Sequence, residues 1–262
     1  MGRDALGRAG RTRSECRQRC GEVLVRLAEF GFALLRGAPV ESGTVLRAVE
    51  LFGFVRETNY GRLFDVRAVV EPTNLAFTSL PLGPHTDNPY RDPVPTLQLL
   101  HCLTSNASGG DTTLVDGFAA AEARRRQDPD AFALLSRHPI SFRYRDVETD
   151  LEARTPVIRL DAEGTVTGLR FNNRSKGPLG VPAPLVRAYH GAYRAFARLL
   201  EHAELQLVLR LEPGDILVFD NERVLHGRTG YDGAGTRHLQ GCYADRDGAR
   251  SRLAVLDRRS AS

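Results

Sequence analysis

The feature that most constrains the fold is a series of short apolar runs, each bounded by glycine, proline, asparagine or aspartate. Such runs are typical of β-strands joined by tight turns, because the bounding residues adopt turn conformations readily and interrupt helices. The pattern predicts a short buried strand at 32–35 and eight further strands at 63–70, 96–103, 112–115, 140–144, 157–160, 168–171, 216–220 and 238–243. The chain is therefore predicted to be mainly β.

Helical spacing of apolar residues is confined to the start of the chain and to two insertions between strands. It predicts helices at 14–30, 43–52, 117–126, 130–137 and 184–201. Many short strands with flanking helices favour a double-sheet jelly roll over a doubly wound parallel sheet, in which strands and helices alternate. Residues 1–13 are predicted to be a flexible N-terminal arm, and residues 14–262 a single domain.

The charge pattern limits the classes of partner. The net charge of +4 comes from 36 basic and 32 acidic residues, and Lys176 is the only lysine. Basic and acidic residues are interspersed, whereas a nucleic-acid binder concentrates its basic residues on one face, so no nucleic-acid partner is expected. Arginine can grip a carboxylate or phosphate with two hydrogen bonds, which makes a small acidic ligand compatible with this composition.

The cysteines and the apolar runs bear on the compartment. The four cysteines show no paired spacing and are predicted to be reduced thiols. No apolar run approaches the roughly 20 residues needed to cross a bilayer, and the N-terminus lacks the apolar stretch of a signal peptide. The sequence therefore predicts a cytoplasmic protein with no membrane partner.

The main candidate for chemistry is His85-Thr86-Asp87, which places an imidazole and a carboxylate two residues apart, together with the distant His226. In an extended segment, alternate side chains share one face. Two histidines and one carboxylate can form the facial triad that holds Fe(II) and leaves coordination positions open. The spacing is also compatible with structural histidines, or with a zinc hydrolase whose fourth position holds water.

Two further residues favour iron. Arg237 follows the second histidine and could grip the distal carboxylate of an oxo-diacid, with the Thr112 hydroxyl as an additional donor. Taken singly, Arg237 is better explained as a surface salt-bridge partner and Thr112 as an ordinary strand residue. The G-x-S-x-G motif is absent, and Lys176 is followed by Gly177 rather than by the hydroxyl residue of a phosphate loop.

A series of motifs makes the family recognisable. In order they are His85-Thr86-Asp87-Asn88-Pro89-Tyr90, Gln98-Leu99-Leu100-His101-Cys102, Gly109-Gly110-Asp111-Thr112, Val115-Asp116-Gly117-Phe118, Arg170-Phe171-Asn172-Asn173, Pro213-Gly214-Asp215, Phe219-Asp220-Asn221, Leu225-His226-Gly227-Arg228 and Arg237-His238-Leu239 with Gly241-Cys242-Tyr243-Ala244-Asp245. From about residue 30 to residue 256 the chain resembles the γ-butyrobetaine hydroxylase and trimethyllysine hydroxylase branch of the taurine dioxygenase-like oxygenases.

The resemblance implies a double-stranded β-helix and an Fe(II)- and 2-oxoglutarate-dependent dioxygenase. It implies that His85, Asp87 and His226 bind iron, and that Thr112, Arg237 and Leu100 contact 2-oxoglutarate. With O₂, such an enzyme hydroxylates its substrate and releases succinate and CO₂. The alternative within the class is a biosynthetic oxygenase that desaturates, cyclises or otherwise oxidises an amino-acid-like metabolite. A homodimer is also implied.

The resemblance implies a small zwitterionic substrate bearing an amine or trimethylammonium group. The positions aligned with the aromatic cage of the family are Tyr60, Phe64, Phe77 and Tyr243, and aromatic faces attract such cations. The positions aligned with its polar contacts are Asn74, Asn88 and Asn172, with Arg91 nearby. Because Asn88 replaces a tyrosine of the hydroxylase, the choice between a carboxylate betaine and an aminophosphonate stays open.

Overall fold

The computed structural model describes residues 13–67, 78–232 and 235–260. Its helices are α1 (Arg13–Phe30), α2 (Thr44–Val49), α3 (Gly117–Gln127), α4 (Pro129–Arg137), α5 (Val186–Leu200) and α6 (Arg246–Ser260). Its strands are β1 (Phe32–Leu35), β2 (Val55–Arg56), β3 (Phe64–Arg67), β4 (Leu82–His85), β5 (Leu97–Ser105), β6 (Thr112–Asp116), β7 (Ile140–Arg145), β8 (Asp150–Thr155), β9 (Ile158–Leu160), β10 (Val166–Leu169), β11 (Gln206–Leu209), β12 (Ile216–Asp220), β13 (Val224–Arg228) and β14 (Arg237–Ala244).

Two antiparallel sheets form the body of the fold. The larger sheet has the order β1-β12-β5-β14-β2, with β3 also paired to β14, and the smaller sheet has the order β11-β6-β13-β4. Strands adjacent in a sheet are often far apart in sequence, as in β12 with β5 and β13 with β6. This is the double-stranded β-helix, so the predicted jelly roll is confirmed.

Three groups of buried side chains hold the layers together. One lies between the two sheets and consists of Leu100, Cys102, Leu114, Leu211, Leu217, Phe219, Val224 and Leu239. A second joins the outer face of the larger sheet to α1, α2 and α6, and a third packs α3, α4 and α5 beside the hairpins β7–β8 and β9–β10. The helices thus support the sheets from outside and leave space between them.

The sequence predicted most strands but missed several short ones. Strands β4 and β13, which carry the two predicted histidine ligands, were not among the predicted strands. The strand β4 contains Gly83 and Pro84, and proline is tolerated there because β4 is the last strand of its sheet. The helix α6 was also missed. The predicted strand 63–70 is seen at Phe64–Arg67, and its remaining residues lie outside the described part.

Two further sequence predictions concern the N-terminal arm and membrane-spanning segments. The arm predicted at 1–13 lies outside them except for Arg13, which begins α1. No helix within the described ranges is both long and apolar enough to cross a membrane.

Candidate metal and co-substrate site

Strand pairing brings the two histidines of the predicted triad together. The strand β13 lies between β6 and β4, and His226 is directly opposite His85 on β4. The two imidazole centroids are 4.3 Å apart. Asp87 follows the end of β4 by two residues, so the loop after the strand returns its carboxylate toward both rings. Residues separated by about 140 positions in the sequence therefore share one site.

The potential ligand atoms lie close enough for one metal ion. Nε2 of His85 is 3.4 Å from Oδ1 of Asp87, and Nε2 of His226 is 4.0 Å from Oδ2. One ligand atom from each of the three residues can be chosen so that all lie within 4.8 Å of one another. Nδ1 of His85 lies 3.0 Å from the carbonyl of Gly83, a contact that orients the ring with Nε2 toward Asp87.

The protonation states suit a divalent cation. Burial, and next the charge of the neighbouring His85, lower the pKa of His226 to about 3, so its imidazole is neutral and offers a lone pair. Burial by itself would raise the pKa of Asp87, but the hydrogen bond from His85 and the charges of His226, His85 and Arg174 outweigh it. The pKa of Asp87 is consequently held well below its ordinary value, and the site contains a carboxylate.

Asn221 fixes the loop that carries Asp87. Its Oδ1 accepts a hydrogen bond from the Asp87 backbone N–H over 2.8 Å, and its Nδ2 donates to the Asp87 carbonyl over 2.9 Å. The same Nδ2 donates to the carbonyl of Pro95 over 3.0 Å, and Asn221 is fully buried. Asn221 belongs to the motif Phe219-Asp220-Asn221, and no role was predicted for it. Its position directly after the strand β12 is the feature of the sequence that could have indicated one.

Gly227 explains how β13 and β4 approach closely beside the histidines. A Cβ atom at this position would lie 2.4 Å from the carbonyl oxygen of Leu82 and 2.8 Å from Oγ1 of Thr113. The β13–β4 register shifts between His226 and Arg228, so Gly227 lies at an irregularity that only a residue without a side chain can occupy.

The predicted co-substrate residues form a second group in the same cavity. Arg237 is buried, its Nε donates to the Gly110 carbonyl over 2.8 Å, and burial lowers its pKa to about 10. Within the described ranges no carboxylate forms an ion pair with it. The buried Oγ1 of Thr112 likewise has no hydrogen-bond partner there. Thr112, Arg237 and Leu100 all line the cavity.

Arg237, which lacks a carboxylate partner among the described residues, and Thr112, whose hydroxyl lacks a hydrogen-bond partner there, fit an anionic co-substrate. A buried charge without a partner costs several kcal/mol, so its retention indicates that a ligand supplies the counter-charge. A guanidinium fork with an adjacent hydroxyl suits a carboxylate. The donor set therefore fits both groups that the resemblance implies: the triad fits Fe(II), and Arg237 with Thr112 fits the distal carboxylate of 2-oxoglutarate.

The cavity that joins these groups has a volume of about 490 Å³ and an aromatic wall. Tyr60, Phe64 and Tyr243 line it, as do Tyr90 and Tyr144, which the sequence had not marked. The rings form a series: Tyr243 stacks on Phe64 at 5.1 Å, Phe64 lies 6.2 Å from Tyr60, Tyr60 meets the edge of Tyr144 at 5.9 Å, and Tyr144 stacks on Tyr90 at 5.1 Å. Phe77 lies outside the described residues.

Asn88 and Asn172, two of the asparagines predicted to contact the substrate, differ in their hydrogen bonds. Asn88 lines the cavity with a φ of 53°; its Oδ1 accepts from the Tyr90 hydroxyl, and its buried Nδ2 lacks a partner in the described part of the chain. Asn172 also lines the cavity, but its Nδ2 donates to the Thr86 carbonyl. Asn74 lies outside the described residues.

Arg91 is placed differently from the prediction. It is not among the described residues that line the cavity, because its Nη2 donates to Oδ1 of Asn59 over 2.7 Å. Arginines from other segments line the cavity instead, among them Arg143 and Arg145 of β7 and Arg174 after β10. Arg143 and Arg145 both bind the single carboxylate of Asp150. The arginines that line the cavity are therefore different from the one predicted.

The sequence matches a family model and several curated proteins. The model described as "Taurine catabolism dioxygenase TauD, TfdA family" matches residues 13–243. Gamma-butyrobetaine dioxygenase of Pseudomonas sp. (strain AK-1) is 42% identical over 90% of this chain and 62% of that protein. The corresponding values are 35%, 90% and 62% for the Homo sapiens gamma-butyrobetaine dioxygenase, and 35%, 86% and 55% for the mitochondrial trimethyllysine dioxygenase of Gallus gallus. The chain thus spans about three fifths of the length of these relatives.

Solved structures show the same fold at low sequence identity. A putative alpha-ketoglutarate-dependent taurine dioxygenase from Burkholderia xenovorans superposes with a TM-score of 0.68 at 15% identity, covering 93% of this chain and 87% of that one. Asparagine oxygenase, in complex with Fe(II), 2S,3S-3-hydroxyasparagine and succinate, gives a TM-score of 0.67 at 20% identity, covering 88% and 79%. These similarities agree with the double-stranded β-helix.

Proposed function

Because the chain belongs to the taurine catabolism dioxygenase TauD, TfdA family, we propose that it is an Fe(II)- and 2-oxoglutarate-dependent dioxygenase. Its substrate is a small zwitterion with an amine or trimethylammonium group and an acidic group, of the betaine or aminophosphonate type. The reaction consumes one O₂ and one 2-oxoglutarate, and it yields hydroxylated substrate, succinate and CO₂.

One observation carries the proposal: the triad lines the same cavity as a buried guanidinium that has no carboxylate partner among the described residues. His85, Asp87 and His226 offer two nitrogens and one carboxylate within 4.8 Å, and Arg237 lines the cavity with no carboxylate partner among the described residues. A zinc hydrolase needs the triad but has no use for the second group. An enzyme whose metal binds a bidentate oxo-acid requires both the triad and the guanidinium. The arrangement therefore favours an oxygenase over a zinc hydrolase.

The roles of the residues follow from these positions. His85, Asp87 and His226 would hold the metal, and Arg237 with Thr112 would orient 2-oxoglutarate through its distal carboxylate. When bound, Fe(II) supplies the redox chemistry that couples decarboxylation of 2-oxoglutarate to C–H oxidation. The protein's contribution is to hold the reacting carbon near the triad and to exclude water from an aromatic-walled cavity.

The aromatic series supports the cationic end of the substrate. Two relatives are named gamma-butyrobetaine dioxygenase and trimethyllysine dioxygenase, after compounds that both carry a trimethylammonium group. Tyr60, Phe64 and Tyr243 present ring faces or edges to the cavity, and a desolvated ammonium group gains up to about 2 kcal/mol or more over such faces. The unpartnered Nδ2 of Asn88 is a donor suited to an oxygen of the acidic end.

The remaining features of the proposal rest on the sequence. The partner is a small molecule rather than nucleic acid or membrane, the compartment is the cytoplasm, and the chain forms a homodimer as the resemblance implies. Cys102 and Cys242 are buried thiols that form no disulfide, in keeping with a reducing compartment.

Succinate release tests the proposed reaction. Purified protein with Fe(II), ascorbate, 2-oxoglutarate and O₂ is assayed against betaines, ω-amino acids and aminophosphonates, and against analogues of each that lack the ammonium charge. We expect one class to raise succinate release well above the substrate-free rate, with one oxygen atom added to the product. A product that has lost two hydrogens without gaining oxygen would support the desaturating alternative. If every cationic substrate is inert while an uncharged one is turned over, the cation site is refuted.

A further inference from the structure

One hydrogen bond joins the aromatic wall of the cavity to the metal triad. The hydroxyl of Tyr243 donates to Oδ2 of Asp87 over 2.9 Å. Tyr243 is only 2% exposed, and among the described residues Asp87 is the sole hydrogen-bond partner of its hydroxyl.

The same side chain faces the proposed cation site. Its ring stacks on Phe64, with centroids 5.1 Å apart and planes inclined by 30°, and it lines the cavity. Gly241 permits this packing, because a Cβ there would lie 2.4 Å from the Phe64 ring. The strand β14 therefore holds the Tyr243 ring against the space for the substrate while its hydroxyl reaches the triad.

The hydroxyl helps to set the rotation of the Asp87 carboxylate. Asn221 holds only the backbone of Asp87, so the rotation about the Cβ–Cγ bond depends on contacts of the carboxylate oxygens themselves. The Tyr243 bond engages Oδ2 and leaves Oδ1 3.4 Å from Nε2 of His85. A carboxylate fixed in this way presents a defined oxygen to a metal, and partners of this kind commonly change metal affinity or activity by 10- to 100-fold.

We infer that Tyr243 is a positioning residue for the metal as well as a wall of the substrate site: its hydroxyl orients Asp87, and its ring contacts the ammonium group. The inference rests on the proposed function. Metal binding and substrate binding then both depend on the side chain of Tyr243. Substitutions can separate the two, because metal binding depends on the hydroxyl and substrate binding depends on the ring.

Anaerobic titration with Co(II), read by its visible absorption, tests the hydroxyl. Tyr243→Phe keeps the ring and should raise the Kd for Co(II) about 10-fold or more, with an altered spectrum. The matched control is Tyr189→Phe, which removes another buried hydroxyl, one that lies in the helical core. It should leave the Co(II) affinity unchanged. Phe64→Leu should raise the KM for the ammonium substrate and leave the Co(II) affinity near that of wild type.

The outcomes separate the inference from the proposed function. If wild type binds neither Co(II) nor Fe(II), the proposed function fails. If wild type binds Co(II) and Tyr243→Phe binds it equally well with the same spectrum, only the positioning role fails. An equal loss of affinity in Tyr189→Phe would also overturn it. Should Tyr243→Phe not fold, a Zn(II)-induced tyrosine difference spectrum in wild type decides: we expect a signal, and its absence would overturn the inference.

Discussion

His85 and His226 are cross-strand partners at directly opposed positions of β4 and β13, with their ring centroids 4.3 Å apart. Side chains alternate between the two faces of a strand, so a shift of one residue in either strand would turn one ring away from the other. The proposed metal site is therefore specified by the register of the smaller sheet, with Asp87 added from the loop that follows β4.

Replacing Asn221 by alanine should weaken metal binding without removing any predicted ligand. The change deletes two hydrogen bonds to the Asp87 backbone and one to Pro95. We expect the Kd for Co(II) to rise about 10-fold and the free energy of unfolding to fall by about 1–3 kcal/mol. Metal titration and chemical denaturation measure the two effects. The control Asn173→Ala changes an exposed asparagine, and equal affinities for both variants would refute the clamping role.

Replacing Arg237 by leucine should raise the KM for 2-oxoglutarate. A charge-assisted hydrogen bond contributes about 1.5–3 kcal/mol, which corresponds to roughly 10- to 150-fold in affinity. Arg237→Lys should lose less, since the charge remains but the planar fork does not. Steady-state kinetics with varied 2-oxoglutarate measure this. Arg187→Leu, at an exposed position of α5, should behave as wild type. An unchanged KM in Arg237→Leu would contradict the assignment.

Replacing Tyr144 by alanine should raise the KM for the ammonium substrate by about fivefold, because one aromatic contact contributes roughly 0.5–1.5 kcal/mol. Tyr144 lines the cavity and touches the rings of Tyr60 and Tyr90. Tyr144→Phe keeps the ring and should retain a KM near that of wild type. A similar loss in both variants would show that the hydroxyl, through its bond to Asp146, is what matters instead.

Replacing His101 by leucine should stabilise the protein. His101 is fully buried on β5, and neither ring nitrogen has a partner in the described part of the chain. An unsatisfied buried polar group costs about 1–3 kcal/mol, so the apolar variant should gain about 1 kcal/mol at neutral pH. Thermal unfolding measures the gain, and a loss of stability would show that the imidazole is satisfied in solution.

His101 should also contribute a pH dependence. Burial, and then the charge of Arg47, lower its pKa below the ordinary value of 6.5. Because the unfolded chain takes up the proton at a higher pH than the folded protein, His101 should destabilise the fold progressively as the pH falls below about 6.5. His101→Leu should flatten this slope, whereas His190→Gln on the exposed side of α5 should not.

The sequence predicted part of the larger sheet closely because two of its strands, β1 and β12, are nearly continuous apolar runs. The strand β12 is buried along its whole length and was predicted with its observed bounds. The strand β8 (Asp150–Thr155) was missed because only Ala153 of its six residues is fully buried. The helix α6 was missed despite Ala249, Leu253 and Leu256, whose helical spacing lies among many arginines. Helices and strands at the polar surface show only a weak periodicity of apolar residues, so their secondary structure depends on the elements against which they pack.

Only part of the candidate site was predicted from the sequence, because the rest depends on how distant segments pack together. Residue chemistry suggested His85, Asp87, His226 and Arg237, the resemblance made them specific, and the fold brings them into one cavity. It did not supply Tyr144, whose approach depends on where the hairpin β7–β8 packs, and it placed Arg91 in the cavity although Asn59 binds it elsewhere. Side-chain direction depends on tertiary contacts that a single sequence does not display.

The most direct test of the central claim is anaerobic addition of Fe(II) and 2-oxoglutarate to the purified protein. If His85, Asp87 and His226 hold Fe(II) beside a carboxylate site at Arg237, a weak visible metal-to-ligand charge-transfer band should appear. His226→Ala should abolish the band and turnover, and His190→Ala, at an exposed position of α5, should retain both. No band in wild type, together with activity supported by zinc, would contradict the account.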